Sequence, residues 1–355
     1  MGLRSVLIVG TGLIGTSIAL ALRERGLEVL LADRDPAVAR LAAERGAGRA
    51  VEPSGAERAD LAVLAVPPGA VPAALRDVQK LGAARYCTDA ASVKAAPIAE
   101  AAALGCDMTA FVGGHPLGGR ERSGPLAARP GLFAGRRWVL CPTPESAPAA
   151  VEAAEALALA CGAVPVVMSG HEHDRAVALT SHTPHLVASA LAARFAEAPE
   201  PVMALAGQGA RDVTRIAAGA PELWSSIVWS NAGPIAEALD QVAGDLRRTA
   251  RALRGTGPGE PVHDLLVRGV EGYARIPGGE RTGRRGSVPV LVPDRPGELA
   301  LLLHAVCVTG IGVEAVAFAP GRPVGMVELT VEQGSAGHLA GELRARGWAV
   351  PVGEA

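Results

Sequence analysis

The chain opens on an uninterrupted apolar run, Ser5-Val-Leu-Ile-Val-Gly10, the pattern of a strand buried on both faces. Gly10-Thr-Gly12-Leu13-Ile14-Gly15 follows, and Thr16 to Arg25 then reads as a helix. A second apolar run, Glu28 to Ala32, ends at Asp33. A third, Leu61 to Val66, stops at Pro67-Pro68, because proline cannot donate to a central ladder. Tyr86 to Asp89, Phe111 to Gly113, Trp138 to Cys141 and Val164 to Val167 are further short strand candidates. Strands alternating with helical stretches predict an α/β, Rossmann-type domain with a doubly wound parallel sheet over residues 1–169.

From about residue 170 the chain becomes rich in alanine and leucine at helical spacing. Ile235, Leu239, Val242 and Leu246 recur four, three and four residues apart, Leu253 continues the seam, and Asn231 is a start signal before Pro234. Such a stripe must be buried against other helices, and those of a second subunit suit it. Residues 170–275 are therefore expected to form an all-α substrate and dimerisation domain of a homodimer. Residues 276–287 lack periodicity and read as a linker. Beyond them come a strand (Val288 to Val292), a turn (Asp294 to Glu298), a helix (Leu299 to Thr309) closed by Gly310, and strands near Val313 to Phe318 and Gly325 to Val331. The turn Pro320 to Pro323 separates those two strands, and a helix from about Ala336 to Arg346 and a strand Trp348 to Val352 complete the order βαββαβ. Residues 288–355 are thus expected to be a ferredoxin-like unit, with Pro351 placing the last strand at an edge.

Composition narrows the classes. At 355 residues the chain exceeds one ordinary domain, and 49% apolar against 20% charged residues supports buried cores. Lys plus Arg number 34 against 36 Asp plus Glu, and aromatics are 3%, so neither nucleic acid nor an anionic membrane is favoured as a partner. An anionic substrate must then be held by locally placed arginines. The cysteines (Cys87, Cys106, Cys141, Cys161, Cys307) are odd in number and scattered without metal spacing, which implies reduced thiols and a cytoplasmic location. The first strand runs into a glycine loop and not a cleavage site, and no long charge-free apolar stretch occurs, so neither a signal peptide nor a membrane span is expected.

The glycine loop carries the first chemistry. Gly10 suits a tight turn, Gly12 a close approach of backbone to a pyrophosphate, and Gly15 close helix–strand packing, with Leu13 and Ile14 between them. The helix that follows aims unpaired N–H groups at phosphates. Asp33, 18 residues after Gly15 at a strand end, suits both ribose hydroxyls and repels a 2′-phosphate, so NAD is expected. Arg34 and Arg40 keep NADP as the alternative, and Val66 and Pro67 at the third strand's end are counted with Arg34 among the cofactor contacts. The second signal is His115, placed after a strand and before a glycine-rich loop, where open α/β sheets bind ligands. Histidine suits removal of a carbinol proton because its pKa lies near neutrality.

At this point a resemblance becomes specific. Gly113-Gly-His115-Pro-Leu-Gly-Gly-Arg-Glu121-Arg-Ser-Gly124 resembles the catalytic-histidine segment of prephenate and arogenate dehydrogenases. Thr88-Asp-Ala-Ala-Ser92-Val-Lys94 is similar to that family's loop beside the nicotinamide, Ser181-His182-Thr-Pro184-His185 to its helix-kink motif, and Arg211-Asp212-Val-Thr-Arg215-Ile-Ala to its substrate-arginine motif. The resemblance implies oxidation of the ring carbinol of prephenate by NAD, coupled to loss of the ring carboxylate as CO2, in tyrosine biosynthesis; arogenate or dual-specificity cyclohexadienyl dehydrogenase is the alternative. It implies His115 as base or polarising acceptor, Ser92 as second partner of the same hydroxyl, and Arg215 as the carboxylate cation, oriented by Asp212 one turn earlier. His185 and His182 are expected on the substrate side, turned there by a kink at Pro184; packing is the competing role for His182. Lys94 would neutralise negative charge near the cofactor and Glu121 would gate the pocket. No metal is expected, His171 and His173 are assigned to a polar helix start, and Trp224 is assigned to the core. A 3-hydroxyacid dehydrogenase or a non-catalytic NAD-binding sensor are rival readings. The His-Pro and Thr-Arg-Ile-Ala motifs count against the first, and the presence together of His115, Ser92 and Arg215 against the second. Finally, Val-Leu-Val-Pro-Asp294-Arg-Pro-Gly-Glu298-Leu299 resembles the start of ACT domains, which implies an amino-acid effector, tyrosine being the simplest, at the C-terminal unit.

Overall fold

The computed structural model describes residues 3–52, 58–118, 124–255, 259–276, 285–319 and 324–351. The chain divides into two compact units, Met1–Gly244 and Asp245–Ala355. In the first, the apolar runs form strands β1 (Ser5–Val9), β2 (Glu28–Ala32), β3 (Arg49–Ala50), β4 (Ala59–Leu64), β5 (Ala84–Asp89), β6 (Phe111–Pro116), β7 (Arg137–Cys141) and β8 (Val164–Val167). They make one sheet in the order β3-β2-β1-β4-β5-β6-β7-β8.

Helices α1 (Leu13–Glu24), α2 (Pro36–Glu44), α3 (Val71–Lys80), α4 (Ala95–Ala103) and α5 (Pro148–Ala160) cover it. Val6 and Ile8 pack on one face with Ile18 and Leu22 of α1 and Leu157 of α5, whereas Leu7 packs on the other with Val71 and Leu75 of α3. Burial on both faces is why β1 lacks polar alternation, and each such side chain contributes roughly 1.5–3 kcal/mol. Each covering helix ends in a turn through a left-handed glycine (Gly26, Gly46, Gly82, Gly105, Gly162), which returns the chain toward the next strand.

The expected all-parallel sheet needs one correction. β1 to β6 are parallel, but β7 runs antiparallel to β6 and parallel to β8. Pairing with β7 also lengthens β6 to Pro116, so His115, opposite Val139, lies within the strand and not after it. Six parallel strands place their carboxyl ends along one edge, where Gly10, Asp33, Val66, Ser92 and His115 follow β1, β2, β4 and β5 or close β6.

Helices α6 (Gly170–Val177), α7 (Thr183–Ala196), α8 (Glu200–Met203), α9 (Gln208–Thr214), α10 (Pro221–Ser230) and α11 (Ala232–Arg254) complete the first unit, α11 continuing into the second. Among the described residues no helix is long and apolar enough to cross a membrane.

The second unit contains α12 (Glu260–Ala274), β9 (Arg285–Pro293), α13 (Glu298–Thr309), β10 (Val313–Ala319), β11 (Val324–Glu332) and α14 (Gln333–Ala345). Its antiparallel sheet has the order β10-β11-β9, and Leu291 bridges Ala349 on the free side of β9. That is the strand arrangement of a ferredoxin-like fold. Val288, Val290, Val327 and Leu329 face Leu302, Leu339 and Leu343 of the helices. The expected terminal strand shrinks to the single bridge, since Trp348 N donates to Leu343 O and Pro351 has no N–H to give. β9 begins at Arg285, so the end of the expected linker belongs to a strand; 277–284 and the turn 320–323 lie outside the described residues.

Candidate active site

The cofactor cradle is built by β1, α1 and the ends of β2 and β4. A Cβ on Gly15 would stand 1.9 Å from Gly10 O and 3.0 Å from Ile8 Cγ2, and one on Gly10 would stand 2.4 Å from Ala65 O and 3.1 Å from Val66 Cγ1. Both glycines are thus required by the chain's own packing. Gly12 differs: a Cβ there meets nothing within 4 Å, and its φ of −70° suits any residue. Its bareness leaves space beside the uncapped start of α1, which is what an approaching pyrophosphate needs. Leu13 and Ile14 are half-buried against the core. Asp33 Oδ2 accepts from Thr11 N (2.6 Å) and Thr11 Oγ1 (3.0 Å), which fixes the carboxylate against the loop. Arg34, Arg40 and Pro67 are exposed, and Val66 is half-buried beside Gly10.

The second cluster centres on β6. Gly114 has no room for a side chain, a Cβ there lying 2.5 Å from Asp89 O, so the Gly-Gly pair lets β6 press against β5. Asp89, 1% exposed, accepts from Gly114 N (2.9 Å) and Ala91 N (3.0 Å), stapling the Ser92 loop to the strand that carries His115. Lys94 departs from its expected cofactor contact. Its side chain is buried, and Nζ donates to Asp89 Oδ2 and to Gly114 O (2.7 Å), so the charge it neutralises is Asp89. Ser92 is half-buried in the loop between β5 and α4.

His115 Nδ1 lies 2.8 Å from His173 Nε2, and His173 Nδ1 lies 2.7 Å from Asp174 Oδ1. Asp174 accepts from the backbone N–H groups of Lys94 (Oδ1, 2.8 Å) and Ala95 (Oδ2, 2.8 Å) at the start of α4. Burial, reinforced by the neighbouring His173, Lys94 and His182, holds the His115 imidazole well below the ordinary histidine range. The expected polar helix start at His173 is therefore corrected: the residue is buried and bonded to His115. A sequence signal exists for its inward direction, though not for its partner. Ser169 and Glu172 form a capping box that starts α6 and sets its phase, turning His173, Asp174 and Val177 inward.

Between α6 and α7 the helix widens into one π-helical turn, Ala178–His182, and Pro184 sits in the first turn of α7. The expected proline kink is thus a widened turn, which relieves the clash of the ring with the carbonyl four residues back. His182 is buried, accepts at Nδ1 from Asn231 Nδ2 (3.2 Å), and is pushed down to about 4 chiefly by burial. His185 is buried and stacks on Trp224, with ring centroids 3.5 Å apart and planes 12° apart, so the core assignment of Trp224 misses a ring contact to a predicted site residue. Arg215 opens a 3₁₀ turn, Arg215–Ala218, and is exposed. Asp212 accepts from Gln208 Nε2 (2.8 Å), one turn earlier on the same helix. Glu121 lies outside the described residues.

Residues 18–167 match the family model described as the prephenate dehydrogenase nucleotide-binding domain, and residues 169–267 the one described as its dimerization domain. The chain is 39% identical over 362 residues to "Probable prephenate dehydrogenase NovF" of Streptomyces niveus, covering 98% of this chain and 99% of that one. It is 32% identical over 247 residues, 67% of each chain, to the prephenate dehydrogenase of Bacillus subtilis. The crystal structure of prephenate dehydrogenase from A. aeolicus in complex with hydroxyphenyl propionate and NAD+ superposes with a TM-score of 0.69 at 26% identity, over 76% of this chain and 98% of that one. Synechocystis arogenate dehydrogenase does so with a TM-score of 0.65 at 26% identity, over 77% and 100%. By its full-length likeness and by both family models, the chain belongs to the prephenate dehydrogenase family.

Proposed function

We propose that the chain oxidises the ring carbinol of prephenate and releases the ring carboxylate as CO2, giving 4-hydroxyphenylpyruvate for tyrosine synthesis. The observation that carries this reading is the half-buried His115, whose burial disfavours the charged ring, on the strand-end edge that also bears the glycine loop and Asp33. NAD, when bound by the Gly10–Gly15 loop and Asp33, supplies the hydride acceptor. His115 Nε2 takes the hydroxyl proton, and Ser92 donates to the same oxygen. The electrons of the breaking carbon–carboxylate bond close the aromatic ring and place charge on the ring oxygen, which recovers the proton from His115. The protein thus supplies a proton acceptor, a cation and a water-poor pocket. Arg215 holds a substrate carboxylate, and His185, stacked on Trp224, lines the substrate side. Asp33 selects NAD because its carboxylate repels a 2′-phosphate.

Leu246 and Leu253 of α11 and Leu266 and Val270 of α12 are exposed in the single chain, apolar positions that a second subunit of a homodimer would cover. Free, scattered thiols fit a reducing cytoplasm. The ferredoxin-like unit is assigned as an ACT-type sensor of tyrosine.

A steady-state assay with prephenate and arogenate, each with NAD and with NADP, tests the reading. NAD-dependent turnover of prephenate is expected. Turnover of arogenate alone, or a preference for NADP, overturns the substrate or the cofactor assignment respectively.

A further inference from the structure

We propose that His173 and Asp174 are positioning residues that hold His115 in the one tautomer able to accept the substrate proton. The inference deepens the proposed function and rests on its assignment of His115.

The chain of hydrogen bonds has a fixed direction. Asp174 accepts from the N–H groups of Lys94 and Ala95, one at each carboxylate oxygen, and its Oδ1 also lies 2.7 Å from His173 Nδ1. The carboxylate has no hydrogen to give, so His173 Nδ1 carries one. A neutral His173 then has its lone pair on Nε2, 2.8 Å from His115 Nδ1. That contact is a hydrogen bond only if His115 carries its hydrogen on Nδ1. The lone pair of His115 is thereby placed on Nε2, the atom required to receive the hydroxyl proton.

Water does not substitute for these partners, because His173 and Asp174 are 1% and 3% exposed. Once His115 is protonated, its Nδ1–H bond to His173 becomes charge-assisted, and the Asp174 carboxylate lies behind it to favour the cation. Without the relay a solitary imidazole divides between two tautomers, one of which presents a hydrogen to the substrate hydroxyl and cannot take another.

Nitrogen NMR of the full-length protein labelled at the imidazole nitrogens reads the tautomer directly, with His115 assigned by the signal lost in His115→Asn. The expected wild-type spectrum shows a protonated Nδ1 and an unprotonated Nε2 at His115. In His173→Phe the Nε2–H form appears, and kcat falls about 10²-fold or more, the scale of a lost general base, while NAD affinity by fluorescence titration is unchanged. A protonated Nε2 at His115 in the neutral wild-type protein overturns the proposal even if His173→Phe does not fold. So does a His173→Phe enzyme with wild-type kcat and an unaltered His115 signal. Loss of activity in His115→Asn beside a fully active His173→Phe removes the relay alone; near-wild-type turnover in His115→Asn removes the catalytic reading on which it rests.

Discussion

At His115, burial and neighbouring positive and imidazole groups disfavour the charged form, so the ring stays neutral at pH values where a solvated histidine has already taken a proton. The sign follows: a depressed pKa preserves the base as pH falls, and activity is lost only below the ordinary value near 6.5. The acid limb of kcat/KM is therefore expected below pH 6.5, and His115→Asn is expected to lower kcat about 10²-fold or more and to abolish that limb. A limb at or above the ordinary value in the wild-type profile contradicts the neutral-base role. His115 was legible in the sequence because its neighbours in the chain are also its neighbours in space, down to the glycines that let β6 approach β5. His173 was not, since its partner is 58 residues away and only the folded sheet brings them together. Lys94 shows the same limit, because its position beside a site was readable but the direction of its side chain was not.

The glycine loop and α1 separate two reasons for a missing side chain. A methyl group at Gly15 collides with Gly10 O, whereas one at Gly12 enters open space. Gly15→Ala is expected to destabilise the first unit by about 1–3 kcal/mol, the usual scale of overpacking. Gly12→Ala is expected to leave the denaturation midpoint almost unchanged while weakening NAD binding tenfold or more, an energetic loss of about 1.4 kcal/mol. Equal NAD affinity in the Gly12 variant, measured by calorimetry, contradicts the cradle. The strands around this loop were readable from their apolar runs, and the α1 start was only displaced, from Thr16 to Leu13. The reversal of β7 was not readable, because buried strands of either direction share one pattern. The π-helical turn was equally hidden: Pro184 announces a disturbance but not whether the helix bends, breaks or widens.

The whole chain joins a unit containing every described candidate for chemistry to a ferredoxin-like unit containing none of them. If tyrosine binds the latter and favours one state of a dimer, a coupling of about 1–3 kcal/mol changes substrate affinity roughly 5–150-fold. A protein ending at Ile276 is then expected to remain an active dimer by ultracentrifugation and to lose tyrosine sensitivity. Inhibition of the shortened protein with unchanged potency, expressed only in KM, assigns tyrosine to the catalytic pocket. The sheet of the first unit has one further consequence, for handling the molecule. Its proposed chemistry lies along the carboxyl ends of the strands, while the turns through Gly26, Gly46, Gly82 and Gly105 lie along the opposite edge. Each glycine must stay, because its positive φ disfavours a side chain, but the exposed neighbours Arg25, Leu81 and Leu104 can be replaced. Those neighbours are the places to graft a fluorophore, an affinity tag or a surface tether: a dehydrogenase immobilised by that rim presents its reactive rim to the solution.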